Sequence, residues 1–365
     1  MKPNAAPSGV RSSGIIPGYM LEEMARRNPN EREQLLRTRD ITAKLLAEKK
    51  AGAKIEAVRA TIQPVTAAIM SPRTRRGPTR EVWDAMENKG QGANVRYEGL
   101  PPTGDADVDL CYELAGLVYE YYREVHGWDS IDGQHGNLVS RVHFRAEPPK
   151  PFNSAFWDGD LMTYGSGDGV FFNTFVHRFV AGHEFTHGVN GCKVKLFHWG
   201  QTATLSEHIA DAFGAFIEMY AQKLSVEQYH WIAVRGIHRE GIKSVGLRNM
   251  ADPGTAFDDP RIGKDRQPNH MSGYVQTSDD DGGAHINNGI PNRALAIFAK
   301  AVGGYAWELV APVWFEARDR MNEKATFASF AFDTMAACNK LGFGKESNKL
   351  ELAWAAVGVK PAPLH

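Results

Sequence analysis

The chain has 365 residues, with 42 Lys and Arg against 43 Asp and Glu, so its net charge is −1. That balance gives no electrostatic case for nucleic acid or an anionic membrane surface as partner, and no apolar run approaches the roughly 20 residues of a membrane-spanning helix. The length allows a large core and two lobes. Cys111, Cys192 and Cys338 are scattered, make neither a Cys-x-x-Cys pair nor a disulfide framework, and read as free buried thiols with one bridge still open to them.

Residues 1–13 are rich in Pro, Ser, Gly and Ala and read as a tail, with no apolar signal-peptide core after them. Ile15, Ile16, Tyr19, Met20 and Leu21 form a short apolar knot without apolar partners in the tail. Residues 22–50 carry Met24, Leu35, Leu36, Ile41, Leu45 and Leu46 at helical spacing, and Asn28-Pro29-Asn30 divides them into two helices. From residue 57 the pattern turns to short strands, with 59–66 alternating. Arg73, Arg75 and Arg76 then lie in a Pro-bounded basic turn that suits a processing site or a solvated hairpin tip.

Residues 107–126 predict a strong amphipathic helix through Val108, Cys111, Leu114, Val118, Tyr121, Tyr122 and Val125. A turn at 130–133 and a strand at 138–144 follow. Ala155, Phe156 and Trp157, then 162–169, read as an edge strand and a glycine loop. An exposed edge can hydrogen-bond an extended peptide.

Residues 180–190 contain His183, Glu184 and His187 as His-Glu-x-x-His. On a helix, positions i and i+4 share a face, so two imidazoles can point at one metal ion with Glu184 beside the first. The same spacing also suits two satisfied core histidines, so a third ligand decides the matter. Twenty residues after His187 stands Glu207, followed by Asp211, again i and i+4. A second helix packed on the first would bring Glu207 to the metal, with Asp211 accepting from the far nitrogen of a ligating histidine. Further on, 256–279 is a long Pro-, Gly- and Asp-rich loop, and 290–302, 306–321, 326–341 and 345–357 predict successive helices.

His183-Glu-Phe-Thr-His-Gly-Val, then Ser206-Glu-His-Ile-Ala-Asp-Ala-Phe-Gly, then Asp281-Gly-Gly-Ala-His285-Ile-Asn-Asn-Gly-Ile resemble, in order, three signature blocks of the thermolysin family of zinc metallopeptidases. Ile15-Ile-Pro-Gly-Tyr-Met-Leu is similar to the start of the short propeptide of the protealysin-like branch, with Gly18 where that branch has a second proline. The resemblance implies an α+β fold: a small helical propeptide (1–50), a β-rich N-terminal lobe ending in the active-site helix (51–195) and a helical C-terminal lobe (196–365). It implies a monomeric zymogen hydrolysing peptides on the amino side of apolar residues, with its own propeptide as intramolecular inhibitor. Export without a cleavable signal is the expected route, with the cytoplasm as alternative.

The same resemblance implies one Zn²⁺ on His183, His187 and Glu207, Glu184 as general base toward a zinc-bound water, and His285, held by Asp280, as donor to the developing oxyanion. Asp211 would orient a zinc histidine. Ala155, Trp157 and Arg248 would bind substrate, and Phe172, Phe175, Val180 and Leu247 would line its apolar pocket. His198 stands where the family commonly has a tyrosine donor, and Ser154 and Ser206 where it has asparagines. Phe179 and Val226 replace two carboxylates of the family's double calcium site, leaving Glu218, so calcium is expected to be absent there. A catalytically weak relative acting as a peptide- or protein-binding module is the alternative; retention of Glu184 argues against it.

Overall fold

The computed structural model describes residues 14–50, 78–87, 90, 92–145, 149–194 and 198–364. The strand expected over 59–66 and the basic turn with Arg73, Arg75 and Arg76 lie outside the described residues.

The N-terminal segment opens with Ile15 and Ile16, both buried, and continues as α1 (Gly18–Arg27) and α2 (Arg32–Lys50), divided at Asn28-Pro29-Asn30. Met20, Leu21, Met24 and Ala25 form the buried stripe of α1. Leu46 of α2, with Ile41 and Leu45, packs on Phe144, Phe152 and Phe156.

The β-rich part consists of β1 (Arg80–Asp84), β2 (Ala93–Tyr97), α3 (Ala106–His126), β3 (Leu138–Phe144), β4 (Ala155–Trp157) and β5 (Met162–Gly165). Its sheet has the order β2-β1-β3-β5-β4. β1, β3 and β5 run parallel, β2 is antiparallel to β1, and β4 is antiparallel to β5 at the edge. Asp105 caps α3 by accepting from the Val108 N–H at 3.0 Å, and Gly127 ends it in the left-handed region that favours glycine.

Two helices form the middle of the molecule: α4 (Arg178–Gly191) and α5 (Gly200–Gln222). Both are apolar or buried nearly all round, the mark of interior helices. Gly182 of α4 faces Gly214 of α5, and a Cβ on Gly182 would lie 3.0 Å from the Gly214 Cα. The pair of glycines lets the two backbones approach closely.

Short pairs follow: β6 (Ile232–Ala233) with β7 (Arg248–Asn249), and β8 (Asp258–Asp259) with β9 (Gly263–Lys264). The second pair folds part of the expected 256–279 loop into a hairpin. The helices α6 (Asp280–Asn287), α7 (Gly289–Val302), α8 (Val310–Arg318), α9 (Phe327–Lys340) and α10 (Ser347–Ala355) complete the chain. The helix expected over 306–321 is split into a 3-10 turn at Ala306–Glu308 and α8. Pro312 explains the break: it lacks an N–H and fits only in the first turn of a helix. Thr326 and Ser329 close a reciprocal capping box at the start of α9.

Cys111 and Cys338 are buried and free, as expected, but Cys192 is exposed because it follows the last turn of α4. Among the described residues, no helix is long and apolar enough to cross a membrane.

Candidate active site

The close crossing of α4 and α5 brings three donor atoms together. His183 Nε2 lies 3.2 Å from His187 Nε2, and Glu207 Oε2 lies 3.3 Å and 3.5 Å from the two. Tetrahedral zinc with ligands at about 2.0–2.2 Å needs donors about 3.3–3.6 Å apart, so the set fits that ion. Among the described residues this is the one group of three or more such donors that could hold a metal.

The far nitrogen of His183 meets Asp211 Oδ1 at 3.0 Å, which directs the Nε2 lone pair into the cluster. Asp211 is buried. It also accepts from Arg248 Nε (2.8 Å) and Nη2 (2.6 Å), Asn288 Nδ2 (2.9 Å) and Asn292 Nδ2 (2.9 Å). Burial alone would raise its carboxyl, but the Arg248 guanidinium and His183 hold it well below the usual carboxylate range.

His285 is placed by an unusual backbone. Asp280, Asp281, Gly282 and Gly283 all have positive φ, from 53° to 86°. Glycine takes that conformation at no steric cost and aspartate tolerates it. The left-handed turn folds Asp280 back on the residues after it. Its carboxylate accepts from the His285 N–H (2.6 Å) and the Ile286 N–H (3.2 Å) and meets His285 Nδ1 at 2.8 Å. His285 Nε2 therefore faces the cluster, 3.1 Å from Glu207 Oε2. Desolvation would lower this imidazole, yet Glu207 and Asp280 push it up to about 10.

Glu184 is fully buried between α4 and the sheet edge, and its Oε2 accepts the Trp157 N–H at 3.0 Å. The indole of Trp157 packs on Phe185, with ring centroids 5.7 Å apart. β4 thus runs directly beside the general-base candidate.

The Ala155 carbonyl on the same edge accepts the Ile15 N–H at 3.0 Å. Gly14 lies so close that a Cβ there would be 2.2 Å from the Ala155 oxygen. The Tyr19 hydroxyl lies within electrostatic reach of Asp280, Asp265 and Arg248, and burial, then the two carboxylates, raise its pKa. The Arg266 guanidinium sits 5.1 Å from the Tyr19 ring centroid.

The residues expected at the metal therefore meet one another and His285, and Glu184 lies within electrostatic reach of His183. Arg248 sits behind the cluster on Asp211; burial would lower its guanidinium, but the Asp211 carboxylate raises it. His198 is half-buried just ahead of α5, after 195–197, which lie outside the described residues. Phe172 and Phe175 pack on each other at 5.6 Å, Phe172 also meets His238, and with Val180 and Leu247 they belong to the buried core. Sequence reasoning missed Asn288, Asn292 and His208. The available signal was the polar spacing after His285: Asn288 and Asn292 are i, i+4 and share a helix face.

Two imidazoles and a carboxylate from crossed helices, with a glutamate next to the first and a sheet edge alongside, suit a zinc-dependent peptidase. Residues 79–191 match the sequence profile described as thermolysin metallopeptidase, catalytic domain, and residues 195–359 the one described as thermolysin metallopeptidase, alpha-helical domain. The chain belongs to the thermolysin family of metallopeptidases, within its protealysin-like branch, and is a zinc metalloendopeptidase. It is 35% identical over 285 residues to an extracellular metalloprotease of Pectobacterium carotovorum, covering 77% of this chain and 81% of that one. It is 33% identical over 356 residues to the protease PrtS of a Photorhabdus strain, covering 95% and 92%. The precursor of protealysin, a metalloproteinase from Serratia proteamaculans, superposes with a TM-score of 0.82 at 32% identity over 95% of this chain and 99% of that one.

Proposed function

We propose that this endopeptidase is made as a zymogen in which residues 1–50 close its own cleft, that His183, His187 and Glu207 hold the zinc, and that it cuts on the amino side of apolar residues. The observation that carries the reading is the Ile15 N–H on the Ala155 carbonyl, because the N-terminal segment takes the strand edge a substrate would use. The likeness to the precursor form of the Serratia metalloproteinase supports it. In this reading residues 51–195 and 196–365 are the two lobes. Lys49 and Lys50 end α2, while Ala51 and Gly52, where the link would be cut, lie outside the described residues. Relatives named extracellular support action outside the cell.

Bound zinc supplies a Lewis acid and an acidified water. Glu184 takes the proton and returns it to the leaving amine. His285, oriented by Asp280, donates to the carbonyl oxygen as charge develops on it, with His198 as second donor. Asp211 keeps His183 in the tautomer that leaves Nε2 free. Ala155 and Trp157 align the substrate backbone, and Arg248 contacts the substrate carbonyl on the leaving side.

Purified protein carried to its mature form should hydrolyse casein, hold about one zinc per chain, and lose activity to a zinc chelator. Folded protein with less than about half an equivalent of zinc, or activity indifferent to chelation, would refute the ligand set.

The specificity proposal has a direct check. Peptides with Leu, Ile, Phe or Val after the scissile bond should be cut in preference to those with Asp or Lys there. Several apolar residues should be accepted, because a methylene discriminates only about 10–200-fold. A profile favouring charged residues would sink it.

Calcium is proposed to be dispensable at the family's double site. Phe179 and Val226 are buried apolar side chains, and Glu218 accepts from the Tyr229 hydroxyl at 2.6 Å. Calcium needs six to eight oxygen ligands. The melting temperature should not move with a calcium-selective chelator; a fall that calcium restores would contradict this.

A further inference from the structure

His208 follows the ligand Glu207 on α5 and is fully buried. Its Nε2 accepts from the Trp314 Nε1–H at 2.9 Å, and its Nδ1 meets Asn292 Oδ1 at 2.7 Å. An indole N–H can only donate, so the proton of His208 sits on Nδ1 and is donated to Asn292. That in turn fixes the Asn292 amide, whose Nδ2 donates to Asp211 Oδ2 at 2.9 Å. Asp211 Oδ1 closes the path on His183 Nδ1 at 3.0 Å. All five side chains are buried, and each hydrogen bond dictates the direction of the next.

We propose that Trp314, His208 and Asn292 are positioning residues for the zinc site: through this directed chain they fix the Asp211 carboxylate against His183, and so set how firmly zinc is kept. The inference rests on the ligand set proposed above. Asn288 and Arg248 also hold Asp211, so removing the far end of the chain should loosen the ligand rather than abolish the site.

The structure contains a matched control. Trp354 is as buried as Trp314 and also donates one indole N–H, to Thr334 Oγ1 at 3.0 Å, but that bond leads nowhere near Asp211. Trp314→Phe and Trp354→Phe each remove one buried N–H donor in full-length zinc-loaded protein. Zinc release into a chromogenic chelator and the melting temperature would be measured on both. Partners of a metal ligand typically change metal affinity about 10–100-fold, and a more distant link is expected to give about 3–10-fold faster release in Trp314→Phe. Trp354→Phe should release zinc at the wild-type rate even where its melting temperature falls equally. His208→Phe, which keeps a ring in place but breaks both hydrogen bonds, should behave as Trp314→Phe and stands in if that variant fails to fold. Equal release from His208→Phe, Trp314→Phe and Trp354→Phe would overturn the inference. Wild-type protein that binds no zinc would overturn the ligand set instead, and this inference with it.

Discussion

Glu184→Gln in matured protein is expected to lower kcat/KM on a peptide substrate about 10²–10⁴-fold, the range attributable to one general acid–base group. The prediction is specific to glutamine. The amide keeps the length of the side chain and an oxygen that can still accept the Trp157 N–H, now held at 3.0 Å. It loses the negative charge and with it the capacity to take a proton. Fold, melting temperature and zinc content should therefore match the wild type, because Glu184 is not among the converging donors. Glu184→Ala should lose activity similarly, but it also strips the acceptor from a backbone N–H at the cleft edge. Leaving a buried donor unsatisfied costs about 1–3 kcal/mol, so the alanine variant should be measurably less stable than the glutamine one. A glutamine variant that kept more than a tenth of wild-type activity would remove Glu184 from the base role.

Much of this site was legible because helical periodicity is local. His183 with His187 and Glu207 with Asp211 are one-turn pairs, and a metal site built from two such pairs can be read without coordinates. The long amphipathic α3 and the division of α1 from α2 were legible for the same reason. What could not be read was decided by contacts distant in sequence. Gly182 and Gly214 look like ordinary weak helix positions, and only their mutual approach gives them a purpose. His208 reads as a polar interruption of an apolar helix until Trp314 and Asn292 arrive from other helices. The left-handed turn from Asp280 to Gly283 shows in sequence only as two aspartates and two glycines. Pairs as short as β6–β7 and β8–β9 carry too few residues for any alternation to register.

Gly14→Val in the full-length chain is expected to raise the initial rate on a small peptide about tenfold or more, a change of about 1.4 kcal/mol in the equilibrium that closes the cleft. The Cβ of any residue at position 14 would lie 2.2 Å from the Ala155 carbonyl oxygen and 2.9 Å from Ser154 Oγ. The first of these is backbone in an edge strand and cannot swing aside. The valine must push the segment off β4, breaking the Ile15–Ala155 hydrogen bond and lifting Ile15 and Ile16 from the cleft. The rest of the segment has its own hold. Met20, Leu21 and Met24 are buried, Asn28 Nδ2 donates to the Arg261 carbonyl at 2.7 Å, and Thr38 Oγ1 accepts the Asn153 N–H at 3.3 Å. Burying a large apolar side chain is worth about 1.5–3 kcal/mol at most, so those contacts keep the two helices docked while the mouth of the cleft opens. The variant should therefore stay intermediate between the full chain and protein beginning at Ala57, which sets the ceiling. Rates must be read on preparations that still run at full length, because self-processing would erase the difference. If wild type, Gly14→Val and the shortened protein all hydrolyse the peptide equally fast, residues 14–50 are a scaffold that happens to cross the cleft, and latency has to be sought elsewhere.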